Sequence, residues 1–158
     1  MPKIVINLLI FYILVVKLTD KNLIGDNIMR KIINFNTNWK FSKEWNDNIK
    51  NEFLKGENIT LPHTVNEIPL HYFDESDTWL ISGYQNIFNF DKAKLKDKRI
   101  LINFEGAMAA AELFINGKSF GEHKGGYLPF IHDITDTLKD GENIIAVKLD
   151  SRERKDIP

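Results

Sequence analysis

The side chains able to do chemistry are few and scattered. There are four histidines, His63, His71, His123 and His132, and no cysteine. None of the histidines pairs with another at i and i+4 on a helix, and none lies beside carboxylates at metal-site spacing, so each reads as a surface or hydrogen-bonded loop residue and no metal or other cofactor is expected. The lack of cysteine excludes a disulfide, a thiolate metal site and a thiol nucleophile, and leaves the redox compartment open. Ser76-Asp77-Thr78 and Ser119 carry hydroxyls but lack the strand-turn-helix elbow that a nucleophilic serine requires. Trp79, Tyr84 and Tyr127 offer aromatic faces for stacking, although such residues more often end up in a core or an interface. Gly125-Gly126 suits a turn with positive φ better than an anion site.

The elements that must position these residues are strands. Ile100, Ile102 and Phe104 alternate with Leu101, Asn103 and Glu105, and Ile145, Val147 and Leu149 alternate with Ala146, Lys148 and Asp150. That period of two marks sheets with one buried face. Ala111, Leu113 and Ile115 share a face of a third extended run, and Asn116-Gly117 after it tolerates the positive φ of a type I′ turn, so residues 118–122 return antiparallel. Residues 85–90 read as a further strand, and Asp97-Lys98, Gly125-Gly126 and Asp140-Gly141 supply turns at sandwich spacing. Residues 42–54 form the one plausible helix, with irregular apolar spacing and no capping-box Glu after Ser42. The expected core includes Ile102, Phe104, Leu113, Ile115, Val147 and Leu149.

Several phrases, in order, carry a resemblance. Phe104-Glu105-Gly106 precedes the third strand, Ile115-Asn116-Gly117 ends it, and His123-Lys124-Gly125-Gly126-Tyr127 follows with Phe130 three residues on. Upstream stand Trp39-Lys40-Phe41 and Leu61-Pro62-His63-Thr64-Val65; downstream stand Asp133-Ile134-Thr135 and the run from Gly141-Glu142-Asn143 to Leu149-Asp150. Together they cover roughly residues 33–158, and they closely resemble the N-terminal sugar-binding domain of glycoside hydrolase family 2, the family of β-galactosidases, β-glucuronidases and β-mannosidases. The resemblance implies an all-β, jelly-roll, galactose-binding-domain-like sandwich. It also implies a parent enzyme, a homo-oligomer, that cleaves terminal β-glycosidic bonds of β-galactoside-type glycans by a retaining mechanism.

That mechanism needs two carboxyl groups flanking the scissile bond. In the family both are glutamates on a later barrel domain, the acid in an Asn-Glu pair. Asn51-Glu52 and Asn66-Glu67 occur here, one in the candidate helix and one in the loop after Leu61-Pro62-His63, and neither has the barrel context. No catalytic residue is therefore assigned, and the chain alone is expected to be inactive, truncated ahead of an immunoglobulin-like domain and the barrel. The resemblance instead points to Asp150 and Arg152, after the last strand, as substrate-binding residues, because the family turns that end toward the barrel mouth. A carboxylate can accept two sugar hydroxyls and a guanidinium can donate to sugar oxygens. The competing reading makes Asp150 and Arg152 an interdomain ion pair or a solvated strand end. The alternative at the level of function is a free-standing carbohydrate-binding module.

Composition agrees with one domain. The chain has 158 residues, 43% of them hydrophobic and 27% charged, enough to bury about 70% of its unfolded surface. A formal charge of -1 and the mixing of Lys94, Lys96, Lys98 and Arg99 with Asp91 and Asp97 argue against nucleic acid as a partner. No internal repeat or low-complexity tract is present. The domain is taken as residues 29–158, behind a leader at 1–28. Within the leader, residues 4–16 are apolar apart from Asn7, too short for the roughly 20 residues that span a bilayer. Three readings stay open: translated upstream sequence before a true start at Met29, which suits a cytoplasmic protein; a signal or anchor of an exported one, although Lys17-Leu18-Thr19 brings no cleavage site; or an extra strand or helix. Deleting residues 1–28 is expected to leave folding and solubility intact or improved, measured by denaturation and by the soluble fraction, because the apolar run has no polar face.

Overall fold

The computed structural model describes residues 10–17, 30–66, 74–95 and 98–157. Its strands are β1 (Ile10–Lys17), β2 (Arg30–Asn34), β3 (Trp39–Ser42), β4 (Glu57–Ile59), β5 (Ile81–Phe90), β6 (Lys98–Gly106), β7 (Ala110–Ile115), β8 (Lys118–Lys124), β9 (Phe130–Asp133) and β10 (Gly141–Asp150). They form two antiparallel sheets, a four-stranded one in the order β2-β1-β6-β9 and a six-stranded one in the order β4-β3-β5-β10-β7-β8. The expected all-β sandwich is what the chain adopts. A single core joins both sheets: Ile100, Ile102 and Phe104 of β6 meet Leu113 and Ile115 of β7, Ile145, Val147 and Leu149 of β10, and Trp39, Phe41 and Tyr84 of β3 and β5. The six expected core residues are all buried.

The alternation seen in the sequence sets the register. On β10, Val147 lies opposite Tyr84 on one side and Leu113 on the other, so one face of three neighbouring strands turns inward together. The β7–β8 hairpin closes through Asn116 and Gly117, both at positive φ (49° and 83°), as a type I′ turn requires. Asn116 then works a second time. Its side chain accepts from the Ile144 N–H and donates to Asn143 Oδ1, while the Asn143 amide bonds Lys139 and Gly141, so hairpin tip and strand start form one polar knot. Asn143 is fully buried yet satisfied.

Residues 42–54 do not form the expected helix. Only Asp47–Lys50 coils, as a single 3-10 turn capped by Asn46, whose Oδ1 accepts from the Asn48 N–H. Asparagine competes with helical hydrogen bonding in this way, and three of them, Asn46, Asn48 and Asn51, stand within six positions. The backbone is held from outside instead. Gln85 on β5 donates to the Ile49 and Glu52 carbonyls and accepts from the Leu54 N–H. Trp45, Ile49 and Leu54 thereby pack on Phe114 and Ala146, covering part of the outer face of the six-stranded sheet.

Near the start of the chain, Ile10–Lys17 runs between β2 and β6, with Ile13 opposite Ile33 and Ile102. Residues 1–9 and 18–29 lie outside the described set, as do Glu67, His71 and Asp97. Removing β1 would return one side of β6 to an edge, so the deletion of residues 1–28 reads out that strand's contribution directly.

Candidate functional site

Asp150 is the last residue of β10, where Ile81 of β5 and Ala110 of β7 flank it. Side chains alternate along the strand, so Asp150 shares the outer face with Lys148 and stands opposite the buried Leu149. The chain then turns back. Arg152 lies across the carboxylate, Nε to Oδ1 at 2.9 Å and Nη2 to Oδ2 at 2.8 Å, and its own N–H adds a third bond to Oδ1 at 3.2 Å. The structure thus brings the two expected site residues together, as a bidentate ion pair within the domain. Hydrogen bonding from Arg152 outweighs the effect of burial and holds the Asp150 carboxyl below the usual carboxylate range.

Arg154 extends this arrangement. It donates to Glu122 Oε1 at 2.6 Å and to both oxygens of Asp156, which also meets Lys124. Its Nη1 stands 3.9 Å from Asp150 Oδ2. The segment after β10 is therefore tied onto β8, the sheet edge. Sequence reading singled out neither Arg154 nor Glu122; they lie 32 positions apart and nothing local pairs them. Between them sits a crevice of about 40 Å³ lined by Ala110, Glu112, Glu122, Lys148, Asp150 and Arg154. Ligand pockets run to roughly 300 Å³ and more, so this crevice admits a water and not a sugar ring.

Two loops that carry aromatic residues are tied to the end of β10. The Ser151 hydroxyl bonds the Thr78 and Leu80 carbonyls, which places Trp79, 43% exposed, next to the strand end. Ala109 bonds both Asp150 O and the Gly125 N–H, bringing the loop with Tyr127, 78% exposed, to the same end. Gly125 adopts φ of 106°, the turn role expected of it, and a Cβ on Gly126 would come within 2.6 Å of Met108. Tyr84 is different. It is fully buried, with its hydroxyl 3.1 Å from His63 Nδ1, and burial pushes its phenol well above the ordinary range.

The serine candidates have structural partners. Ser76 bonds Asp74, and Ser119 donates to Glu112. Glu52 is exposed after the 3-10 turn. His123 and His132 are not the surface or hydrogen-bonded loop residues expected but lie on β8 and β9, where His123 stacks on Phe130 at 4.0 Å and His132 meets Phe120 and Phe130 edge-on, so these two edge strands close one side of the sandwich with rings. The Nε2 atoms of His123 and His132 have no hydrogen-bond partner, and among the described residues no group of three or more His, Asp or Glu could hold a metal.

Burial lowers His132 from its ordinary value of 6.5, His123 pushes it the same way, and burial also lowers His63. The unfolded chain then takes up these protons at a higher pH than the folded one. Stability is full above about 6.5 and falls as pH drops toward the lower folded values. Urea midpoints are expected to decrease from pH 7 toward pH 5, and His132→Phe to flatten that acid limb.

The described residues thus form an antiparallel β-sandwich with a cluster of ion pairs around Asp150 at one end of β10. A profile of the glycosyl hydrolases family 2 sugar binding domain matches residues 33–154, and the chain belongs to that family. It is 45% identical over 134 residues to a β-galactosidase of Thermoanaerobacter pseudethanolicus, covering 82% of this chain and 18% of the relative. Among solved structures, a β-glucuronidase of an uncultured Clostridium sp. superposes with a TM-score of 0.68 at 26% identity, over 88% of this chain and 25% of that one. A β-glycosidase of Bacteroides vulgatus gives 0.65 at 32% identity, over 75% and 17%. The chain thus spans about a fifth of the length of the proteins it matches.

Proposed function

We propose that this domain serves a β-galactosidase-type glycoside hydrolase by completing the wall of the substrate pocket, with Asp150 and Arg152 on the rim and the two catalytic glutamates on a barrel outside the present sequence. The whole enzyme in this reading is a cytoplasmic homo-oligomer acting on terminal β-galactosides. The observation that carries it is the size of the crevice at Asp150. At about 40 Å³ it cannot enclose a sugar by itself, and the exposed Trp79 and Tyr127, on loops bonded to the same strand end, offer apolar surface to another domain. Arg152 holds both Asp150 oxygens, so the pair can act as a fixed unit: the guanidinium is half exposed and the carboxylate stays ionised.

The purified chain is expected to hydrolyse no aryl β-galactoside, β-glucuronide or β-mannoside above a buffer blank, because positioned acid and nucleophile carboxylates lower the barrier and this domain supplies neither. Added to a β-galactosidase relative lacking its first domain, it restores turnover, and Asp150→Ala reduces the rescue. Turnover by the chain alone, lost on changing Glu52 or Glu67, would place the chemistry here and overturn the reading.

A further inference from the structure

A concavity large enough for a small ligand lies elsewhere among the described residues. A groove of about 540 Å³ opens along residues 42–55 on the outside of the six-stranded sheet, with Glu44, Asn46, Asn48, Glu52, Phe53 and Lys55 in its lining. This volume falls within the range of small-molecule sites, and the groove shares no lining residue with the crevice at Asp150. From its shape and chemistry we infer that it is a second binding site, for a neutral hexopyranose such as the non-reducing end of a glycan. The inference goes beyond the rim reading and needs neither a barrel nor Asp150.

The groove is built before any ligand arrives. Trp45 stacks on Phe114 at 5.5 Å and 23° between planes, and its backbone N–H donates to the Ile81 carbonyl. Ile49 sits over Gly83, where an added Cβ would meet its Cδ1 at 2.6 Å. Gln85, fully buried, clamps the backbone at three points. A segment held this way loses little further entropy on binding.

The Ser42 hydroxyl and the Trp45 indole N–H are spent on Glu44 and Asp47, but several other polar groups of the groove are uncommitted. The side chains of Glu44, Asn48, Glu52 and Lys55 make no hydrogen bond or ion pair within the described residues, and Asn46 uses only Oδ1, leaving its amide N–H groups. The groove therefore offers carboxylate and amide acceptors next to amide and ammonium donors. Sugar hydroxyls donate and accept at once and can satisfy both kinds. Phe53, 61% exposed, adds an aromatic surface for the C–H face of the ring, with Lys40 Nζ 5.6 Å from its centroid. An apolar ligand would strip water from the two carboxylates without compensation, and an anionic one would be repelled by them.

The test is a two-dimensional amide NMR titration of the full 158-residue chain with methyl β-galactoside, methyl β-glucoside and methyl β-glucuronide as probes. Saturable millimolar shifts at Asn46, Asn48, Glu52 and Phe53 with at least one neutral glycoside are expected, and weaker ones with the glucuronide. Phe53→Ala and Glu52→Gln, both exposed and so compatible with folding, are each expected to weaken binding about fivefold, with spectra that report whether the variants stay folded. Shifts confined to Asp150, Arg152 and Tyr127 would overturn the groove and support the rim. Absence of saturable shifts, unchanged affinity in both variants, or tighter binding of the glucuronide would overturn the inference while leaving the trans-complementation result independent.

Discussion

Phe104→Ala lowers the free energy of unfolding by about 3–5 kcal/mol, the cost of removing a ring from a site that cannot collapse. Phe104 has no exposed surface and lies on β6 between the two sheets. Its ring stacks on Phe130 at 4.4 Å with 8° between planes, and Phe130 in turn stacks on His123. The neighbours that would have to fill the cavity sit on hydrogen-bonded ladders and cannot move inward without breaking register. Domains of this size are held by about 5–15 kcal/mol in all, so the loss is a large fraction of the total. Urea denaturation at neutral pH measures it. A change below about 1 kcal/mol would mean that the Phe104–Phe130–His123 stack does not support the sandwich.

The second large effect is local. Gln85→Ala orphans the Ile49 and Glu52 carbonyls and the Leu54 N–H, bonded at 2.6, 2.7 and 2.8 Å in the native chain. Each buried polar group left without a partner costs about 1–3 kcal/mol unless water reaches it, so a total near 3 kcal/mol is expected. Gln85→Glu does no better, because a carboxylate in place of the amide N–H₂ faces two carbonyl oxygens. Hydrogen exchange separates this loss from global destabilisation: the Leu54 amide should lose protection far more than the amides of β10. Equal loss at both places would show that residues 43–55 have no stability of their own to lose.

What the sequence determined by itself is the sandwich. Strand periodicity is a local property, readable wherever one face is buried and the other is not, as at Ile100-Ile102-Phe104 and Ile145-Val147-Leu149, and these residues are buried as the alternation requires. The Asn116-Gly117 turn is local too, since only residues tolerant of positive φ close a two-residue hairpin. Residues 42–54 mark where local reasoning fails. Their conformation is decided by a glutamine more than thirty positions later, and Gln85 reads in isolation as an ordinary polar residue of a strand. Asp150 could be placed at a strand end from its pattern. That Arg152 occupies both its oxygens, and that Arg154 reaches Glu122 on the neighbouring sheet edge, follows from packing between distant segments. The groove on residues 42–55 has the same origin. Hydrogen-bonding capacity is written in the residue types, but which groups spend it inside the fold and which keep it for a ligand depends on who stands next to them, and only the tertiary structure decides that.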